Sequence, residues 1–199
     1  PSHTAEVYGD HYFTAGGAGY ADYFAEADLL RSRGRRYAQI LHSILGKPGR
    51  LLDVGAAAGF LLAGFCDQGW SGEGVEPNAR MATYARDVLG LKVQTSTLEA
   101  VQSDQQFDLV SMIQVVAHFP NPLQAFRVAD RLTRPGGYWL IETWNSESLT
   151  ARFCGPNWHE FSPPSVLHWF SRRSLRRVMT RLGYRQVGIG SLGKWLSVG

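Results

Sequence analysis

From residue 50 onward, short apolar runs of strand length alternate with stretches of helical period, and this alternation limits the fold more than any other feature. Strands are predicted at Arg50–Val54, Gly72–Val75, Leu91–Gln94, Phe107–Ile113, Tyr138–Thr143 and Tyr184–Ile189. Helices are predicted at Phe60–Gln68, Asn78–Leu89, Pro122–Leu132 and Ser171–Leu182. Strands separated by helices form βαβ units, and these build a parallel sheet covered on both faces. The expected fold class is α/β, with one doubly wound, mostly parallel sheet. Ahead of the alternation, Tyr23, Leu30, Tyr37, Ile40, Leu41, Ile44 and Leu45 recur at helical spacing. They predict an N-terminal amphipathic helix over Asp22–Leu45, ended near Gly46 and Pro48. Residues 1–20, rich in Tyr and Gly without a clean period, read as an irregular, lid-like arm.

A chain of 199 residues suits a single domain. Its expected parts are an arm and helix (1–46), a binding core (47–145) and a cover with a last helix and strand (146–199). A hydrophobic content of 44% against 19% charged excludes a disordered chain. No apolar run approaches the ~20 residues of a membrane span, and no signal segment is recognisable at the start. Cys66 and Cys154 form no metal-ligand pattern, no acidic cluster calls for a metal, and a cytoplasmic location is expected. A formal charge of +3 is too small to imply nucleic acid by itself.

In a doubly wound sheet, ligands bind beyond the carboxyl ends of the strands, near the point where strand order reverses. The segments that follow the strands are Gly55–Gly59, Glu76–Asn78, Ser96–Leu98, Gln114–Phe119 and Trp144–Asn145. The first is the most unusual: "LLDVGAAAGF" turns from strand to helix with no side chain larger than a methyl. Such a turn lets a ligand approach the backbone, and Gly55 can take dihedrals closed to other residues. Gly59 would let the next helix pack tightly on the strand. The plainer reading is that small residues serve helix–sheet packing alone. Glu76 shifts the balance. It ends the second strand 21 residues after Gly55, where an acidic side chain accepts hydrogen bonds from the ribose hydroxyls of a nucleoside. The G-x-G-x-x-G spacing of a nicotinamide site is absent, which disfavours an oxidoreductase.

Asp53, Gly55, Ala57 and Gly59 fall at every second position, and this D-x-G-x-A-x-G run resembles motif I of the class I methyltransferases. The resemblance extends to "GVEPN" (74–78), "QFDLVSMIQVVAHFPNP" (106–122) and "LTRPGGYWLIETWN" (132–145). "YFTAGGAGYADY" and the segment from Asn157 to Tyr184 are similar to the small-molecule O-methyltransferases of the ubiquinone-biosynthesis type. It implies a Rossmann-like fold, S-adenosyl-L-methionine as cofactor and a small-molecule methyl acceptor, with an oxygen as the expected nucleophile. It further implies cofactor contacts from Asp53, Gly55, Ala56, Ala57, Gly59, Glu76, Pro77, Ser96, Thr97, Leu98 and Gln114. Three departures stand out. Ala57 replaces a glycine, which reads as mild because Ala is small. Ala117 replaces a glutamate before His118. Thr97 falls where the family usually has an aspartate near the adenine. The family's sheet also ends in an antiparallel strand that "GSLGKWLSVG" (190–199) scarcely provides, so the chain is expected to stop short of it.

A sulfonium is an activated methyl donor, so the protein's main task is alignment. For a hydroxyl acceptor a base helps, and His118, after the fourth strand, is the candidate. The plainer reading has His118 only packing or bonding to its loop. His159 and His168 are rivals, because "NWHEFSPPSVLHWF" is expected to fold over the acceptor side, with Trp158, Phe161, Trp169 and Phe170 forming either an apolar acceptor pocket or core. In the last helix, Arg172, Arg173, Arg176, Arg177 and Arg181 share one face, read as a solvated face over a buried one. An RNA acceptor is therefore a minor alternative, as is a non-catalytic cofactor-binding module. The sequence does not set the oligomeric state.

Overall fold

The computed structural model describes residues 9–13 and 22–190. Five strands form one parallel sheet: β1 (Arg50–Val54), β2 (Ser71–Glu76), β3 (Lys92–Thr95), β4 (Phe107–Ile113) and β5 (Thr133–Glu142). Their spatial order is β3-β2-β1-β4-β5, so the order reverses between β1 and β4. The helices are α1 (Ala27–Leu45), α2 (Phe60–Cys66), α3 (Ala79–Asp87), α4 (Pro122–Leu132), α5 (Leu149–Cys154) and α6 (Arg172–Arg181).

Strand residues alternate between two cores, as the period of two requires. Leu51 and Leu109 face a layer made by α1, α2 and α3, where Tyr37, Leu62, Phe65 and Ala82 are buried. Leu52 and Val110 face the opposite layer, where Phe126 and Ala129 of α4 are buried and Val178 and Met179 of α6 pack from the rim. This is the doubly wound arrangement expected from the alternation. Among the described residues no helix is long and apolar enough to cross a membrane.

The ends of the elements follow local chemistry. Asn78, Asn121, Ser148 and Ser171 cap α3, α4, α5 and α6 with side-chain oxygens on backbone N–H groups. The long first helix begins at Ala27 rather than Asp22, because the Asp22 carboxylate accepts from Phe24 and Ala25 N–H and turns the chain first. Strand β5 begins five residues earlier than predicted, across Pro135-Gly136-Gly137, with a register shift against β4 between Phe107 and Leu109. Helix α5 has no counterpart in the sequence reading.

The predicted strand Tyr184–Ile189 does not form. Tyr184 is anchored instead: its ring stacks on Trp139 at 4.1 Å and its hydroxyl donates to Asp130 at 2.8 Å. Beyond it residues 185–190 are exposed and in no strand. "GSLGKWLSVG" lies outside the described residues apart from Gly190. The five arginines of α6 are all exposed while Val178, Met179 and Leu182 pack on the core, which agrees with a solvated face over a buried one.

Helices α1 and α2 cross backbone to backbone. A Cβ on Gly34 would run into the Leu61 carbonyl oxygen, and one on Gly64 into the Arg31 carbonyl oxygen. Neither atom can yield without parting the helices, so Gly64→Ala is expected to destabilise the fold by about 3 kcal/mol, the upper end of overpacking costs. Urea denaturation measures this, and an unchanged midpoint would show that the crossing is loose.

Candidate functional site

At the reversal of strand order, a cleft opens beyond the carboxyl ends of β1, β2, β3 and β4. Asp53, Gly55, Ala56 and Ala57 line it from β1 and the turn after it. Glu76 and Pro77 contribute from β2, and Ser96, Thr97 and Leu98 from the loop after β3. Gln114 and His118 close the β4 side. Of the residues singled out from sequence, only Gly59, among the cofactor contacts and His118, is not in the lining. Its missing Cβ makes room for Leu91 and Ala85, so Gly59 serves packing against α3 rather than against the strand.

The turn is held by hydrogen bonds that reach across to β2. Gly55 and Ala56 N–H both donate to the Val75 carbonyl, at 2.9 and 3.1 Å. The Glu76 carboxylate lies between two backbone amides, accepting from Ala57 N–H and Asn78 N–H at 2.8 Å each. Gly55 takes φ +71, as expected of a tight turn. The space beside it, however, is occupied by protein: a Cβ there would collide with Val115 Cγ1. Ala57 takes φ +47. A left-handed alanine costs on the order of 1 kcal/mol, so replacing a glycine here is not the mild change its size suggests. The bond from Ala57 N–H to Glu76 helps to hold that conformation.

Two carboxylates are buried side by side in the cleft. Asp53 and Glu76 are each only 4% exposed. Burial pushes the Glu76 carboxyl up to about 7, against the pull of its two amide bonds. It pushes Asp53 up to about 7 as well, opposed by the Ser111 hydroxyl, which donates at 2.5 Å, and reinforced by the charge of Glu76. Two carboxylates in one cleft oppose a pyrophosphate and favour a cation. The acceptor set thus fits a nucleoside that offers ribose hydroxyls and carries positive charge.

His118 ends a short 3-10 turn, Val116–His118, directly after β4. Its Nδ1 lies 2.7 Å from the Ser165 carbonyl. Burial lowers its pKa below the ordinary value, with the carbonyls of Ser165 and Gln114 and the charge of Glu160 opposing, which favours the neutral ring. Leu167 and His168 N–H both donate to the Ala117 carbonyl, which pins the cover segment to this turn. That pinning lays the cover against the turn, and of the two alternatives for its aromatic residues the structure does not form the pocket. Trp158, Phe161, Trp169 and Phe170 do not line the cleft, and neither do His159 and His168. Phe161 stacks on Trp169 at 4.7 Å, and the Trp169 indole N–H donates to the Glu160 carbonyl, so the segment folds on itself. His159 is exposed and pairs with Glu160 at 3.0 Å.

Sequence reading missed Arg33, which lines the cleft from α1. It lies three residues after buried Leu30 and four before buried Tyr37, a charge within an apolar stripe, and that was the available signal. Tyr12 and Phe13 of the arm also line the cleft, and Phe13 packs edge-on against Tyr23 at 5.5 Å. The rest of the arm, 1–8 and 14–20, lies outside the described residues.

A family model described as a methyltransferase domain matches residues 29–188. The chain belongs to the class I, S-adenosylmethionine-dependent methyltransferases. It is 27% identical over 158 residues to a ubiquinone biosynthesis O-methyltransferase of Alkalilimnicola ehrlichii, covering 69% of this chain and 63% of that protein. An uncharacterized methyltransferase of Schizosaccharomyces pombe is 30% identical over 136 residues, covering 60% of this chain and 48% of its own. The chain thus spans about half to two-thirds of these relatives' length. The fold matches magnesium protoporphyrin IX methyltransferase of Synechocystis, solved with bound SAH, at a TM-score of 0.66 and 15% identity over 96% of this chain and 94% of that one. It also matches a Thermotoga maritima methyltransferase at 0.64 and 23% identity over 84% and 78%.

The two raised carboxyls make stability depend on pH. Unfolded Asp and Glu titrate near ~4, so between about 4 and about 7 the folded methyltransferase domain holds protons that the unfolded chain has released. The stability this confers is full at low pH and is lost as pH rises through about 7. Urea midpoints of the ligand-free domain are expected to fall between pH 5 and 8 on this account, and Asp53→Asn to flatten the slope. An equal slope in the variant would remove Asp53 as a cause.

Proposed function

We propose that this domain transfers a methyl group from S-adenosylmethionine to a small-molecule acceptor, with an oxygen as the nucleophile. The observation that carries the reading is the buried Glu76 carboxylate, bonded to the turn after β1 and facing the same cleft as His118. The sulfonium supplies an activated methyl, and the residues bind, orient and move a proton. Glu76 and Asp53 would hold the cationic nucleoside, with Glu76 on the ribose hydroxyls. Ser96, Thr97 and Leu98 would receive the adenine, and the turn from Gly55 to Ala57, with Gln114 and Arg33, the amino-acid end. His118 would take the acceptor's proton; its neutral ring supports that role. The likeness to ubiquinone biosynthesis O-methyltransferases supports an oxygen acceptor. A single domain over 1–199 and a cytoplasmic setting fit the same reading, the latter with both cysteines unpaired.

Glu76→Ala is expected to weaken S-adenosylhomocysteine binding by about 2 kcal/mol, the loss of charge-assisted hydrogen bonds. Calorimetry reads it directly, and unchanged affinity in a folded variant would sink the assignment. His118→Ala separates two roles, since the bond to Ser165 also clamps the cover. A base requires a ~10²–10⁴-fold drop in turnover with cofactor affinity retained and partial recovery at high pH. Full activity on a panel of phenols and hydroxylated quinone precursors would leave His118 as a clamp alone.

A further inference from the structure

We infer that Glu142, the last residue of β5, is a positioning residue for the amino-acid end of the cofactor, an inference that rests on the reading above. Its carboxylate collects donors from three directions. Arg33 Nη2 lies 3.2 Å from Oε1, and Gln114 Nε2 donates to the same oxygen at 3.0 Å. The Tyr37 hydroxyl donates to Oε2. The Glu142 carbonyl also accepts from Gln114 N–H at 2.8 Å, so Gln114 is gripped at both backbone and side chain by one residue.

That grip explains a feature of the backbone. Gln114 takes φ +57, a left-handed conformation that disfavours a non-glycine residue. Such a conformation persists where its surroundings over-determine it, and the bonds to Glu142 do so. The consequence is the turn that carries Val115 against Gly55 and His118 into the cleft lining. Arg33 and Gln114 line the cleft, whereas Glu142 does not. Glu142 therefore acts through them.

The sheet serves as a ruler for which part of the ligand this concerns. With the adenosine on Glu76 and Ser96–Leu98, at β2 and β3, the other end of the molecule runs toward β1 and β4. There the guanidinium of Arg33 suits a carboxylate, and Glu142 fixes where that guanidinium sits. Tyr37 is 3% exposed, and its pKa is raised first by burial and then by the bond to Glu142, so it stays a protonated donor.

The test compares two ligands that share the adenosine and thioether but differ in the amino-acid end: S-adenosylhomocysteine and 5′-methylthioadenosine. In Glu142→Ala, calorimetry should show S-adenosylhomocysteine affinity down about tenfold or more, the scale of a lost charged hydrogen-bond partner. Methylthioadenosine affinity should stay unchanged. Glu142→Gln, which retains an acceptor oxygen, should show the same contrast at smaller size, and it carries the test if the alanine variant does not fold. Parallel loss of both ligands would mean a general structural role and overturn the inference. So would unchanged S-adenosylhomocysteine affinity beside a wild type that binds it. A wild type that binds neither ligand removes the cofactor reading and this inference with it.

Discussion

The Glu76 carboxylate is the interaction on which the rest of the site depends. It ends β2, yet one oxygen bonds to the turn after β1 and the other to the start of α3. Burying a carboxylate is costly unless its oxygens are hydrogen-bonded. Here the two amides offset that cost in part, which is why burial still wins and the carboxyl stays raised. The bond from Ala57 N–H holds that left-handed residue in place, so the turn's shape and the buried acid are one construction. A change at either position reaches the other.

That strand, turn and acid share one cleft was legible because they lie near one another in sequence. The acid follows the strand and small-residue turn by one helix, and the parallel register brings them together: Asp53 pairs with Gly74 and Val54 with Val75, two residues and one residue before the acid. Eleven of the twelve residues singled out line one cleft. The exception, Gly59, borders Leu91 and Ala85, and a missing side chain does not say which neighbour needs the room. Gly55 shows the same ambiguity from the other side, since Val115, sixty residues on, occupies the space beside it.

What was not legible is long-range. The Arg33–Glu142–Gln114 group joins α1, β5 and the exit of β4 over separations of 109 and 28 residues, and no periodicity encodes such a junction. In the cover the choice between pocket and core for the aromatic residues was open for a related reason. Its aromatic residues carry the composition of a pocket, but two backbone amides on the Ala117 carbonyl and the indole bond of Trp169 decide where they face. The absent strand at Tyr184–Ile189 is a case of tertiary override: the Val187 and Ile189 pattern is strand-like, but the segment lies exposed past the Tyr184 anchor.

Charge divides the cleft along the order of the strands. Asp53 and Glu76 stand on the β1–β2 side, and Arg33, held by Glu142, stands toward β4. A ligand bearing a sulfonium, an ammonium and a carboxylate has the matching distribution, positive charge toward the acids and the carboxylate toward the guanidinium. Apart from Asp53, Glu76, Arg33 and Glu99, the lining is largely aromatic or aliphatic, with Tyr12, Phe13, Val115 and Phe119 beside His118. On the proposed reading these residues would meet the acceptor, so shape and one imidazole would weigh in its choice. On that reading Tyr12 and Phe13, the two aromatic residues of the arm in the lining, would bear on acceptor preference.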